Sequence, residues 1–217
     1  MVYLMILVGN LLIVLLILMD TCLHTPMYFF LTNLSILEVC YTSSMIPQML
    51  GHFLAERKSI SFSHCATQFY TFLFFGIAEC YILSVMAYDH YVAIWDPLRY
   101  SVIMNWGVCG ALAAGCWVSG FIASTVDTVD TFQLSFCQEN VINHFLGEMP
   151  TLLYLSCTDT SHVEMVMNVL CIFTLLCPVT FIIFSYAHII NVVLHIRSAQ
   201  GRRKAFSTCS SHFMVVM

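Results

Sequence analysis

Apolar positions in this chain come in long unbroken runs cut by short polar clusters, and they do not alternate. Crossing about 30 Å of hydrocarbon takes roughly 20 residues of helix. The runs long enough are Met1 to Met19, Pro26 to Leu50, Phe69 to Ile94, Trp106 to Val126 and Val163 to Ile196. A further one begins between Ser207 and Met217, with about 16 Å of helical rise, roughly half a crossing. With their flanks the runs predict helices over 1–19, 26–50, 64–95, 105–126, 163–196 and 207–217, an outer loop over 127–162 and an inner loop over 197–206, in one transmembrane domain over 1–217. Backbone groups in hydrocarbon must be paired within each segment, so the expected fold is an all-α membrane bundle of five complete helices plus the start of a sixth.

Composition and charge fix the solvent and the orientation. With 60% hydrophobic and 9% charged residues, the chain carries more apolar surface than a soluble fold of this length buries. Arg99, Arg197, Arg202, Arg203 and Lys204 fall in alternate loops, which assigns those loops to the cytosol and the amino terminus to the outside. The intervening loops hold Arg57 and Lys58, while 127–162 has no Lys or Arg and carries Asp127, Asp130, Glu139, Glu148 and Asp159. The net charge of −5 sits mostly in that outer loop, and no nucleic-acid partner is expected. Met1 to Met19 lacks a polar leader and a cleavage site, so it is read as a span, with an outer tail expected before it.

Some residues should shape the bundle. Pro26 suits a first helical turn, whereas Pro47 and Pro178 fall inside spans and should kink them, Pro178 splaying the outer half of the fifth helix. Gly107, Ala111, Gly115, Ser119 and Ala123, at every fourth position, are read as one narrow packing face on the fourth helix. Of the eleven cysteines, those on helices, such as Cys40, Cys80, Cys109, Cys116, Cys171 and Cys177, are read as small apolar packers, while Cys65, Cys137 and Cys157 are placed on the outer side, where oxidation is favoured.

Candidate chemistry is sparse. Glu38 and Glu79 lie inside spans and need a partner, either a shared proton or a cation. On the third helix Phe69, Phe72, Leu73, Gly76, Ile77 and Cys80 recur at spacings of three and four, forming a stripe that suits either a ligand wall or plain helix packing. Asn33-Leu34-Ser35 fits a glycosylation acceptor but falls at the cytosolic end of its helix. The chain has no phosphate loop, nucleophile elbow, H-E-x-x-H or paired C-x-x-C, so no enzyme is expected. It also lacks the related halves of a transporter.

The third helix closes on Met86-Ala87-Tyr88-Asp89-His90-Tyr91-Val92-Ala93-Ile94-Trp95-Asp96-Pro97-Leu98-Arg99-Tyr100. With Gly9-Asn10, Leu23-His24-Thr25-Pro26-Met27-Tyr28-Phe29-Phe30-Leu31, Ser185-Tyr186 and Lys204-Ala205-Phe206-Ser207-Thr208-Cys209-Ser210-Ser211-His212, this pattern resembles the olfactory receptors, rhodopsin-like seven-transmembrane receptors. The resemblance implies a small volatile odorant bound within the bundle, a stimulatory G protein as partner, and a plasma-membrane location in contact with lipid. It places Met167, Asn168, Cys171 and Thr174 on the ligand wall beside the third-helix stripe, and Asp89, His90, Tyr91 and Tyr186 in the G-protein switch. It also implies a sodium ion at Glu38 and Glu79, with Asn10 or Ser84 as neighbouring donors.

Three departures stand out against that family. His90 occupies the position of a permanently charged Arg, so Asp89 is expected to lack its ionic partner. Trp95 stands where relatives have Cys, and Gly147 replaces the loop cysteine that would bond the third helix, implying a Cys137 to Cys157 bridge and an unpaired Cys65. Arg202, Arg203 and Lys204 would contact a G protein or anionic lipid, or serve as topology determinants. The alternative reading is a truncated, degenerate receptor without signalling activity; a transporter or ion-conducting protein is a further alternative.

Overall fold

The computed structural model describes residues 2–54, 61–134, 156–157 and 159–195. They form α1 (Val2–Met19), a 3-10 turn (Thr21–Leu23), α2 (Pro26–Leu54), α3 (Phe62–Trp95), α4 (Tyr100–Ile103), α5 (Trp106–Phe132), α6 (Ser161–Cys171), a π turn (Ile172–Leu176) and α7 (Cys177–His195). Five spans are long and apolar enough to cross a membrane: α1, α2, α3, α5, and α6 continuing through the π turn into α7. Cys137, Gly147, Arg57, Lys58, Arg197, Arg202, Arg203, Lys204 and the segment 207–217 lie outside the described residues.

Helix α3 is the hub. It packs on α2, α5 and α7, while α1 leans on α2 alone among the long helices. Phe30 and Leu37 of α2, Ile82 of α3, Cys109 of α5 and Ile189 of α7 are fully buried in one contiguous core. Helix α1 buries Ile17 and turns most of its apolar surface outward, which is stable only where the surroundings are lipid. The starts of α3 and α5 are set by short polar side chains. Ser61 Oγ accepts the His64 N–H at 3.3 Å to start α3, and Asn105 Oδ1 accepts the Val108 N–H at 3.1 Å to start α5. At the start of α6 the exposed Asp159 carboxylate accepts from the backbone N–H and hydroxyl of Ser161, which holds its titration below the usual carboxylate value.

The fourth span corrects two expectations. First, α5 runs to Phe132, well past Val126, so Asp127 and Asp130 stand on a helix and not in the outer loop. The continuation is held by Phe132, whose ring meets Phe62 and Phe69 of α3, and it carries Asp127 and Thr131 on the same buried face as Cys109, Ala113, Cys116, Gly120 and Ala123. Second, the small residues at every fourth position do not share a face. Four residues advance the helix by about 400°, a drift of roughly 40° per step, so Gly107 and Ala123 end about 160° apart. Gly107, Ala111 and Gly115 are not buried, and only Ala123 of that set is. The close approach is made instead by Gly120, where an added Cβ would meet the Phe74 carbonyl oxygen at 3.0 Å.

Two polar ties lock the spans. Trp117 Nε1 donates to Asn33 Oδ1 at 3.1 Å, joining α5 to α2, while Asn33 Nδ2 donates to the Phe29 carbonyl at 2.9 Å. Both ends of the Asn33 amide are thus engaged inside the bundle, consistent with an asparagine that carries no glycan. In the fifth span, the π turn lies just before Pro178, which has no N–H and whose ring crowds the carbonyl one turn back. The Tyr81 hydroxyl of α3 donates to the Phe173 carbonyl in that turn at 3.1 Å, so the irregular backbone is satisfied from a neighbouring helix.

Candidate ligand wall and inner switch

The predicted stripe on α3 makes ring contacts with two neighbours. Phe69 is buried edge-on against Phe132 of α5, with ring centroids 5.8 Å apart, and Phe72 lies 5.8 Å from the Tyr41 ring of α2. Leu73, Gly76 and Cys80 are half-buried and Ile77 is buried. A Cβ added to Gly76 would meet nothing within 4 Å, so the wall has room there. On the fifth span Met167 and Thr174 are half-buried, whereas Asn168 and Cys171 are exposed. Thr174 returns its hydroxyl to the Leu170 carbonyl at 2.8 Å. Leu73, Gly76, Ile77 and Cys80 thus share one face of α3, on which Phe69 and Phe72 also make ring contacts with α5 and α2.

Deeper in the bundle the side chains of Glu38 and Glu79 approach closely enough to hydrogen-bond, with Tyr41 beside both. Two carboxyls in contact must share a proton or accept a cation. Neither Asn10 nor Ser84 bonds to them among the described residues: Asn10 Nδ2 donates to the Ile6 carbonyl at 3.1 Å and Ser84 Oγ to the Cys80 carbonyl at 3.0 Å. No third Asp, Glu, His or Cys joins the pair among the described residues. The donor set is one of hard oxygens, which suits an alkali cation whose shell is completed by neutral oxygens.

At the carboxyl-terminal end of α3 the structure supplies a partner that sequence reasoning missed. Asp89 is only 2% exposed, and its carboxylate accepts a 2.8 Å hydrogen bond from the Tyr100 hydroxyl, across the turn at Pro97. Burial first, and then the Asp89 carboxylate itself, push the Tyr100 phenol well above its ordinary value, so the hydroxyl keeps its proton and stays a donor. His90 is buried too, and its Nδ1 lies 2.6 Å from the Met86 carbonyl, one turn back on its own helix. Where an ionic partner is expected to be missing, Asp89 has a neutral, aromatic one. Tyr100 stands in the quoted motif, yet a search for a compensating charge passes over a phenol.

Around this clasp, Tyr91 stacks on Trp95 with centroids 5.9 Å apart and meets His188 of α7 edge-on at 6.2 Å. Tyr186 is buried in the core beside Ile189. Leu98, between Asp89 and Tyr100 in sequence, is 93% exposed on the same inner loop. Cys65, near the start of α3, is a buried free thiol, and Cys157 is disulfide-bonded.

With that geometry in place, likeness to known proteins is informative. A family model described as "Olfactory receptor" matches residues 1–217. Olfactory receptor 2F1 of Homo sapiens is 50% identical over 214 residues, covering 99% of this chain and 68% of its own length. Olfactory receptor-like protein OLF3 of Canis lupus familiaris is 50% identical over 215 residues, 99% of this chain and 68% of its own. Olfactory receptor 10A2 of Homo sapiens is 50% identical over 215 residues, covering 99% of this chain and 71% of its own. These matches run through every segment of the chain, and they favour a receptor over a degenerate remnant or a transporter.

Proposed function

We propose that this chain, which belongs to the olfactory receptor family, passes odorant binding on to a G protein of the stimulatory type. Olfactory receptors are G-protein-coupled receptors and not enzymes; they bind odorants and couple to G proteins. The observation that carries the coupling is Leu98, which projects from the inner loop 93% exposed. A leucine this exposed beside the inner end of the bundle is an apolar anchor for a partner's pocket. Leu98→Asp should therefore cut odorant-evoked cyclic-nucleotide signalling about tenfold or more at unchanged surface display. Signalling that persists at wild-type strength would remove Leu98 from the interface, and an evoked fall in cyclic AMP would replace the stimulatory partner with an inhibitory one.

The same reading puts the receptor in the plasma membrane, its amino terminus outside and its basic inner loops against anionic lipid, as the Lys and Arg asymmetry supports. An amino-terminal epitope should then be stained in unpermeabilised cells.

Glu38 and Glu79 would hold a sodium ion between α2 and α3, where it supplies positive charge that a shared proton otherwise provides. Their close approach fits this, and Tyr41 is an aromatic neighbour of both. The purified receptor should be thermally more stable in sodium than in choline salt, and Glu79→Gln should abolish the difference. Equal stability of the wild type in both salts would leave the pair a proton-sharing one.

A further inference from the structure

Hydroxyls in the membrane helices of this chain follow one habit. Thr32, Thr42, Thr67, Thr71, Thr125 and Thr174 each donate to the backbone carbonyl four residues back. This is the usual way to bury a hydroxyl in a helix, because the donor is satisfied locally. Thr128 and Thr131 break the habit: both hydroxyl oxygens are buried without a hydrogen-bond partner. Beside them Asp127, 8% exposed, has its Oδ1 buried and unpartnered as well. Asp127 and Thr131, at i and i+4, lie one above the other on one face of α5, and Thr128 stands about 100° round the helix from Asp127.

An unpaired buried carboxyl and two idle hydroxyls are costly to hold, of a kind that folded chains rarely keep without a use. No protein cation among the described residues compensates them. Arg99 is the only Lys or Arg in that set, and it lies at the inner end of the bundle. The charge near Asp127 is of its own sign, since Asp130 adds a second carboxylate one turn on. The site lies two turns outward along α5 from Gly120, which touches α3 at Phe74 and Ala78, and α5 also touches α6. Further out, Phe132 meets the Phe69 and Phe62 rings, an apolar cover.

We propose that Asp127, Thr128 and Thr131 form an anchoring subsite for a protonated primary amine, so that the odorants of this receptor include small alkylamines. The inference rests on the odorant-receptor reading. An ammonium group has three N–H donors and no acceptor, and it finds three unpartnered oxygen acceptors here, one of them a carboxylate. A divalent metal is a poorer match, because no group of three or more Asp, Glu, His or Cys forms among the described residues. The hydrocarbon tail of such an amine would lie along the apolar faces of α3 and α6.

The test is binding to the nanodisc-reconstituted receptor of straight-chain primary alkylamines, each paired with the alcohol of equal length, followed by ligand-induced thermal stabilisation. Amines should bind, and Asp127→Asn should weaken them about 10- to 100-fold while leaving the alcohols unchanged, the range expected for a lost charge-assisted hydrogen bond. Thr131→Val should weaken amines several-fold and serves if the Asp127 variant does not fold. Ligand-free Asp127→Leu should melt no lower than wild type, since it removes an unpaired buried carboxyl; a clear drop would mean that Asp127 is structural and would overturn the proposal. Alcohols that bind while amines do not, or amines indifferent to Asp127, overturn the subsite and leave the receptor intact. Failure of both series overturns the odorant reading with it.

Discussion

Receptors carrying Gly120→Leu should be retained inside the cell. An added Cβ at Gly120 would lie 3.0 Å from the Phe74 carbonyl oxygen, 3.2 Å from the Ala78 Cβ and 3.3 Å from the Ala78 nitrogen. Two of those atoms are backbone, so no side-chain rotation relieves them, and α3 and α5 must move apart. Overpacking by even a methyl costs about 1–3 kcal/mol, and leucine adds a branched group beyond that. For a protein of marginal stability the result is loss of the fold. Gly115 supplies the internal contrast, since an added Cβ there meets nothing within 4 Å. Gly115→Ala should be displayed at or above the wild-type level, because alanine is the better helix former by roughly 0.5–1 kcal/mol. Flow cytometry of a surface epitope decides both. Normal display of Gly120→Leu would mean that the two helices do not touch there.

Tyr100→Phe should raise ligand-independent signalling. The change removes one oxygen and with it the hydrogen bond that the buried Asp89 carboxylate accepts from the inner loop. A hydrogen bond to a charged group contributes about 1.5–3 kcal/mol. If it holds the inner loop in the resting arrangement, losing it shifts the resting-to-active equilibrium at least tenfold, at about 1.4 kcal/mol per decade. The substitution His90→Arg bears on the same carboxylate from the other side. A permanently charged guanidinium beside Asp89 offers a second partner, so the effect of Tyr100→Phe should shrink in a receptor that also carries His90→Arg, a coupling of about 0.5–3 kcal/mol in a double-mutant cycle. Basal cyclic-AMP levels, normalised to surface display, are the readout. Unchanged basal levels in Tyr100→Phe would make the clasp a passive contact.

The spans themselves were legible because membrane crossing is a demand on length and composition, which a one-dimensional reading measures directly. The start of α5 at Trp106 was legible for a different reason, since Asn105 is a capping residue at the foot of an apolar run. Its end was not. A carboxylate at position 127 marks the water boundary only if it faces water, and Asp127 faces the bundle. Which residues of α5 meet α3 was hidden as well, because a repeat of four looks regular on paper while it winds around the helix. On α3 the spacing of the stripe was legible, whereas the contacts of Phe69 with Phe132 and of Phe72 with Tyr41 were not. That outcome depends on where neighbouring helices stand. The Asp89 to Tyr100 contact joins residues eleven apart through a turn, and no periodicity reports it.

The π turn at Ile172–Leu176 sets the gearing of the fifth span. From Val163 to Val193, both buried, an uninterrupted α-helix of about 100° per residue would leave the two side chains roughly 120° out of phase. One extra residue absorbed in the turn brings them back to within about 20°. The half before the turn, α6, and the half after it, α7, which carries Tyr186, are therefore indexed to the bundle separately. Insertion or deletion of one residue in the turn would act as a rotary dial. It would present a different set of side chains to the ligand while Ile182, Tyr186 and Ile189 kept their grip on the core.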